Sequence, residues 1–223
     1  NSNLKRRMRS FLQNPQNPLT EWKNETFDYG VINLFMQYLF DHYGVKVISD
    51  SLTSSAVGIA SINEALQKRG YTENFSQIFT NWTIAILIND CNLGPKLCYL
   101  SQNLKNFRVS PQINFLPSIG DSSLSVVNYI KNWAGNWYKF IGGQGTLKLE
   151  FIGEDKTNFR IPYLLEDNSG NFTLDYLKLD SSQRATQFFS DFGKKYRSLT
   201  IIPSLQTKIF GFDGVENYSK FIF

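Results

Sequence analysis

The sequence of 223 residues has 42% apolar side chains, including 19 Phe, 11 Tyr and 4 Trp, which is enough to build a sizeable core. Residues 1–122 carry 11 basic and 9 acidic side chains, and residues 123–223 carry 12 and 10. Neither half is a basic lobe, so we expect no nucleic-acid partner. The sequence has no run of about 20 apolar residues, so we expect no membrane span.

The chain is predicted to open with a short basic helix over residues 3–12, which ends before Pro15 and Pro18. This helix contains KRRMR at 5–9, which we interpret as a solvated face near a chain end. The chain begins at Asn1 with neither Met nor a signal-peptide pattern, which favours a piece of a longer polypeptide.

The central helix is predicted over residues 28–44, DYGVINLFMQYLFDHYG. Apolar side chains cover most of the helical wheel, while the polar residues lie along one narrow face of the helix. This pattern is typical of a buried helix. Asp28 is the predicted N-cap and Gly44 the predicted C-terminal stop.

Three more helical segments are predicted before residue 91. A short helix or helical turn is expected over 45–52, and an amphipathic helix over 58–70 that ends at Gly70. Residues 71–90, with Thr72 as N-cap, form the last of these helices, and the second half of this helix is apolar all round.

Cys91 and Cys98 flank a Gly94–Pro95 turn, which can bring their Cα atoms within bridging range. A disulfide here would indicate an oxidising compartment and a secreted, extracellular protein. The alternative is two buried free thiols beside a loop. A zinc site at these cysteines is not expected, because the spacing is wrong and the chain has 1 His.

The second half of the chain shows a period of two. Residues 91–122 are predicted to form an irregular crossover, and alternating runs then occur at 146–151, 158–165, 172–176, 185–189 and 199–201. Gly- and Asn-rich turns separate these runs, which predicts an antiparallel, jelly-roll-like β-sandwich. The predicted class is therefore α+β, with an N-terminal bundle-like helical subdomain at 1–115 and a β-sandwich domain at 116–223.

Four segments of the helical half occur in an order that is similar to a known family. They are LTEW at 19–22, DYGVINLFMQYLFDHYG at 28–44, VGIASINEALQKRGY at 57–71 and NFSQIFTNWTIAILIND at 74–90. This set resembles the C-terminal helical subdomain of secreted zinc metallopeptidases of the HExxH zincin type, in which a β-sandwich often follows. The resemblance covers about residues 10–90 and implies a C-terminal fragment of an extracellular zinc metallopeptidase with a peptide or protein substrate.

The sequence lacks the zinc ligands of that family. HExxH places two His one helical turn apart with a Glu between them as general base, and this chain has 1 His. The resemblance therefore implies that zinc is held by an N-terminal catalytic part of the same polypeptide, that this chain holds no cofactor, and that it is inactive alone. In aminopeptidase-like members a Tyr at the start of the corresponding helix stabilises the oxyanion, and Tyr29 occupies a comparable position. The alternative is a Tyr that packs at the helix start.

Two further interpretations stay open. The chain can be a non-catalytic carbohydrate- or protein-binding module, with Trp133, Trp137 and Tyr138 as ligand contacts, although aromatic side chains at this density also suit a core. It can also be a structural relative whose full gene never encoded HExxH. His42 is interpreted as a surface or capping residue, with metal ligation as the alternative.

Overall fold

The computed structural model describes residues 2–117, 123–208 and 210–223, with helices first and strands second. The helices are α1 (Ser2–Gln13), α2 (Thr26–Thr53), α3 (Ile59–Lys68) and α4 (Phe75–Ile88), followed by a 3-10 helix at Gln102–Leu104. The strands are β1 (Gln112–Leu116), β2 (Val127–Lys131), β3 (Tyr138–Gly142), β4 (Gly145–Gly153), β5 (Phe159–Arg160), β6 (Pro162–Asp167), β7 (Phe172–Tyr176), β8 (Arg184–Phe192), β9 (Tyr196–Ile201), β10 (Ser204–Leu205) and β11 (Tyr218–Ile222). The predicted α+β class, with helices N-terminal to strands, is confirmed.

The chain forms two compact units. The helical unit comprises the described residues of Asn1–Val109, Asn132–Ala134 and Lys208–Glu216. The strand unit comprises those of Ser110–Lys131, Gly135–Thr207 and Asn217–Phe223. Each unit is therefore built from separate stretches of sequence.

Helix α2 begins earlier than predicted. Its N-cap is Glu25, and Asp28 is the third helical residue, so the prediction of Asp28 as N-cap is wrong. Asp28 is 2% exposed, and its carboxylate accepts hydrogen bonds from Asn17 Nδ2 and from the backbone N–H groups of Lys23 and Glu25, at 2.8 to 2.9 Å. Asp28 thus satisfies donors ahead of the helix and ties the preceding loop to its first turn.

Gly44 interrupts α2 where the sequence predicts a stop. Its φ of 76° and ψ of 170° are non-helical and belong to a region that Gly enters at low cost. The residues before it form the helix predicted over 28–44, and those after it form a second segment that ends at Thr53.

Helix α4 is capped at both ends by Asn. The N-cap is Asn74, in a capping box with Gln77, and not the predicted Thr72. At the other end, Asn89 has a left-handed backbone with φ of 45°. Its side-chain amide donates to three backbone carbonyls of the segment 104–107, and its Oδ1 accepts the Tyr99 N–H at 2.8 Å. Asn89 therefore joins the end of α4 to the loop that follows.

The core of the helical unit is aromatic. Trp82 is 1% exposed and contacts the rings of Phe11, Phe35 and Phe79, with centroids 5.4 to 6.1 Å apart. Its Nε1–H donates to the Tyr99 hydroxyl at 2.9 Å. Buried aromatic rings with a satisfied polar atom give this unit a specific interior.

The nine strands of the larger described sheet fall into two groups. Hydrogen bonding gives β1-β3-β9-β6-β7 in one group and β8-β4-β11-β2 in the other, and the single pair Phe192↔Tyr196 joins them. Rings from the two groups meet in a shared core, as Tyr163 of β6 meets Phe189 of β8 at 5.2 Å between centroids. The strands therefore form one curled sheet folded over an aromatic core, with β5 and β10 as a separate pair.

Several finer predictions about the strands need correction. The sheet is mixed, because β1 pairs parallel with β3, whereas a jelly roll is antiparallel throughout. Pro162 opens β6, which is an internal strand because it pairs with both β7 and β9. The predicted crossover at 91–122 contains the 3-10 helix and β1, and its residues 118–122 lie outside the described residues.

Candidate functional site

Tyr29 lies on the first turn of α2 with its hydroxyl at the surface. The ring meets the Trp22 indole edge-on with centroids 4.8 Å apart, and the Arg7 guanidinium carbon lies 4.6 Å from the ring centroid. The hydroxyl donates a hydrogen bond to Asn24 Oδ1 at 2.7 Å, and the residue is 37% exposed. Packing and a cation–π contact thus hold the ring of a residue that is partly exposed.

A cleft of about 470 Å³ opens in the helical unit. The residues that line it come from the loop before α2, from α2 itself, from the start of α3 and from the segment that returns after β10. They include Leu19, Glu21, Trp22, Leu52, Val57, Lys208, Phe210 and Phe212. Trp22 lines the cleft and also contacts the Tyr29 ring, which is therefore one residue removed from the lining.

The cleft is mainly apolar, with few charges. Among its described lining residues the ionisable side chains are Glu21, which is 3% exposed, and Lys208. Lys208 Nζ lies 3.7 Å from an Asp213 carboxylate oxygen. The volume and the apolar lining suit the side chains of an extended peptide or another small apolar group.

Cys91 and Cys98 form a disulfide in the structure. The loop that it closes is attached to α2, because Tyr38 donates to Lys96 O at 2.7 Å and His42 Nε2 lies 2.8 Å from Cys98 O. Burial lowers the pKa of His42 below 6.5, and this outweighs the backbone hydrogen bond, which raises it. The structure therefore uses His42 to hold the disulfide loop.

The described side chains do not fit a zinc site. Over residues 2–117, 123–208 and 210–223, no three His, Cys, Asp or Glu side chains are grouped so that they could hold a metal ion. Both cysteines are in the disulfide, and His42 contacts a backbone carbonyl. We therefore assign no catalytic step to a metal held by these residues.

The three aromatic residues considered as ligand contacts are in the interior. Trp133 is 3% exposed and packs on Phe75 and Phe79 of α4, with centroids 5.0 and 5.4 Å away. Trp137 and Tyr138 are 4% and 3% exposed, and Tyr138 belongs to the core of the strand unit. The structure therefore places all three in the core, with little ring surface left for a sugar.

Some cleft residues were not identified from the sequence. Phe210 and Phe212 flank Gly211 in the part of the chain, 116–223, that the sequence analysis assigned to the strand domain. The signal that could have found them is the apolar pair on either side of Gly211, because an exposed turn has no need of two Phe.

No helix among the described residues combines the length and the apolar character needed to cross a bilayer. No protein-family profile matches the sequence, and no curated protein matches it. Among solved structures, the chain is similar to one described as a family GH115 4-O-methyl-α-glucuronidase with specificity for decorated arabinogalactans, at 7% identity and a TM-score of 0.22. That match covers 90% of this chain and 30% of the other, and a TM-score this low supports no argument about fold or function.

Proposed function

We propose that this chain is the C-terminal portion of an extracellular zinc metallopeptidase. In this proposal the helical unit forms the floor of the substrate cleft, and the strand unit is an accessory module. The order of the four helical segments supports the proposal. The observation that carries it is the partly exposed Tyr29, whose ring packs on Trp22, a lining residue of an apolar cleft.

A phenol is a suitable donor to the negative charge that develops on a tetrahedral intermediate, provided that it is positioned beforehand. The contacts of Tyr29 with Trp22 and Arg7 supply that positioning. Its hydrogen-bond partner, Asn24, is exposed, so a substrate oxygen competes with a surface hydrogen bond and not with a buried one. Tyr29 is therefore assigned to oxyanion stabilisation.

The apolar cleft that Trp22 lines is assigned to the substrate's side chains. Leu52 and Val57 line it and are 80% and 85% exposed, so an incoming apolar group can cover them. Burial of such surface contributes about 25 cal/mol per Å², which favours peptides with bulky apolar residues.

Zinc, in this proposal, is bound by an N-terminal part of the same polypeptide and supplies the Lewis acid that polarises the scissile carbonyl. The residues of this chain bind the peptide, orient it and donate the phenol hydrogen bond. The chain alone is therefore proposed to be inactive. The disulfide agrees with an extracellular location, which is also part of the proposal.

The first test is the coding sequence upstream of residue 1, which we expect to encode HExxH. The polypeptide that includes this part is expected to bind zinc and to hydrolyse a fluorogenic peptide, whereas this chain with added zinc gives no turnover. An upstream sequence without HExxH, or hydrolysis by this chain alone, contradicts the proposal.

The second test is Tyr29→Phe in that longer polypeptide. Loss of one oxyanion donor is expected to lower kcat by about 100- to 1,000-fold with little change in KM. Tyr129→Phe is the matched control, because it removes the same oxygen from a residue that is 64% exposed in the strand unit. If Tyr29→Phe retains as much activity as Tyr129→Phe, the assigned role of Tyr29 is wrong.

A second candidate function is a non-catalytic binding module. A pocket in the strand unit that is lined in part by Arg160, Asp180 and Gln183 favours it, and this pocket does not involve Trp133, Trp137 or Tyr138. The two functions are compatible, because an accessory module of a peptidase can carry its own binding site.

A further inference from the structure

From a second pocket, in the strand unit, we infer a binding site for a small hydroxylated carboxylate, with Arg160 as the residue that receives the carboxylate group. The pocket has a volume of about 350 Å³ and lies between β5, the end of β7 and the loop before β8. This volume is within the range of small-molecule sites in proteins. The inference goes beyond the proposed peptidase function and does not depend on it.

Arg160 is the cation of this pocket. Its guanidinium carbon lies 5.4 Å from the centroid of the Tyr176 ring, which also lines the pocket. The Nε atom is buried and makes no hydrogen bond with any residue that the structure describes. A buried donor without a partner is costly, and a planar guanidinium pairs best with a carboxylate through two parallel hydrogen bonds.

No carboxylate of the described residues fills this role. Asp180 lines the same pocket, yet no ion pair within 4.0 Å joins it to Arg160 in the described part of the chain. Instead, Asp180 Oδ1 accepts the backbone N–H groups of Ser182 and Arg184 at 2.8 and 2.9 Å. This leaves Oδ2 as an acceptor for a ligand hydroxyl group.

Gln183 adds a donor to the pocket. Its Oε1 accepts the Phe159 N–H at 2.8 Å, which leaves the side-chain NH₂ for a ligand. The backbone of Gln183 is left-handed, with φ of 58°, and its N–H donates to Asp180 O. The loop is therefore shaped by its own hydrogen bonds before any ligand binds, which lowers the entropy cost of binding.

These groups define the chemistry of the ligand. Arg160 requires an anion, and the Asp180 carboxylate in the same pocket disfavours a dianionic phosphate relative to a monoanionic carboxylate. Asp180 Oδ2 and the Gln183 amide require hydroxyl groups that donate and accept hydrogen bonds. A carboxylate on a hydroxylated carbon skeleton meets all three demands, either as a free hydroxy acid or as an acidic residue of a polysaccharide.

The experiment is an NMR titration of the whole chain with galacturonate, with galactose as the neutral ligand of the same ring size. Galacturonate is expected to shift the backbone amide signals of residues 158–161 and 176–183, and galactose is not. A series of oligogalacturonates distinguishes the two sources, since affinity that rises with length indicates a polysaccharide and constant affinity indicates the free acid.

Two variants of Arg160 test its role. Arg160→Gln is expected to weaken galacturonate binding at least tenfold, and Arg160→Lys, which keeps the charge and loses the planar fork, is expected to give an intermediate loss. Lys178→Gln is the control, because it removes an exposed cation from the same loop without lining the pocket. Amide signals outside the pocket establish that each variant is folded.

The inference is overturned if neither galacturonate nor its oligomers bind at millimolar concentration. It is also overturned if galactose binds as well as galacturonate, or if Arg160→Gln and Lys178→Gln weaken binding equally. Because these measurements need neither zinc nor peptide hydrolysis, their failure leaves the peptidase proposal untouched.

Discussion

Glu166 is the buried acid of the strand unit whose replacement we expect to lower the free energy of unfolding most. It is 6% exposed, and its carboxylate accepts hydrogen bonds from Lys139 Nζ at 2.9 Å, from Ser198 Oγ at 2.7 Å and from Arg197. Burial by itself would raise the pKa of Glu166, but these hydrogen bonds outweigh it and lower the pKa to about 2. The folded state therefore stabilises the ionised form.

The size of the effect follows from this pKa. A change from 4.5 to about 2 corresponds to roughly 3 kcal/mol of stability at neutral pH. We reduce this to about 2 kcal/mol, since the Arg197 side chain is 51% exposed and water screens its charge. A folded pKa below the unfolded one means that this stability is present above about pH 4.5 and is lost as the pH falls towards 2.

Glu166→Gln is therefore expected to lower the free energy of unfolding by about 2 kcal/mol at pH 7, and the difference from wild type should narrow below pH 4.5. Amide hydrogen exchange of β6 and β9, measured by mass spectrometry, reports on this region separately from the helical unit. Glu150→Gln is the matched control, since Glu150 pairs with Lys148 at 2.7 Å but both side chains are about half exposed, at 59% and 49%. The reasoning is refuted if Glu166→Gln lowers the free energy of unfolding no more than Glu150→Gln does at pH 7. It is also refuted if the loss caused by Glu166→Gln is as large at pH 3 as at pH 7.

Three further substitutions test the packing of the helical unit by urea unfolding. Gly30→Ala is expected to cost about 1 to 2 kcal/mol, because an added Cβ would lie 2.7 Å from the Phe11 backbone nitrogen and α1 would have to move. Asn89→Ala is expected to cost about 3 kcal/mol, because it leaves several buried backbone groups without partners. Replacing Cys91 and Cys98 together by Ser is expected to cost roughly 2.5 kcal/mol, the entropy of closing this short loop.

Each of these substitutions has a control. Lys46→Ala changes an exposed residue of α2, and Asn106→Ala changes an exposed Asn of the loop that Asn89 holds, so both should stay within about 0.5 kcal/mol of wild type. Wild type treated with a reducing agent should unfold like the double Ser variant. The packing arguments are wrong if Gly30→Ala or Asn89→Ala resembles its control, or if reduction leaves stability unchanged.

The helices follow from local patterns that the sequence shows directly, but their ends do not. Both Thr72 and Asn74 are good N-cap residues, and only the reciprocal bonds of Asn74 with Gln77 decide between them. For α2, Asp28 is the better capping residue by type, yet its carboxylate is used by donors that precede the helix, including the side chain of Asn17. Capping by residue type alone cannot anticipate a partner outside the helix.

The strands that the sequence analysis missed are short, and their partners are distant in sequence. β1 pairs with β3, and β2 pairs with β11 across more than half of the strand-rich region. β7 is equally short, but its apolar residues at 172, 174 and 176 follow a Gly- and Asn-rich turn, whereas β1 lies between Pro111 and Pro117. β4 and β8 were recognised because they are longer and one face of each is buried.

Tyr29 and its surroundings show how far the candidate site could be predicted. The resemblance to zincins singled out Tyr29, and the neighbouring LTEW segment contains Trp22, which contacts its ring. The cleft itself could not be predicted, because one wall is formed by Phe210 and Phe212, which are far away along the chain. Their contribution depends on the return of the chain after β10, and periodicity within one segment contains no information about it.

This return also means that the helical unit is completed by later parts of the chain. Trp133 packs on α4 and its Nε1–H donates to the Lys208 carbonyl at 2.5 Å, while its own carbonyl accepts the Leu19 N–H at 2.9 Å. Leu19 and Lys208 both line the cleft, so these hydrogen bonds join two of its walls through a single residue. Residues 132–134 and 208–216 therefore belong to the helical unit and help to line or brace its cleft, although the strand-rich sequence separates them along the chain.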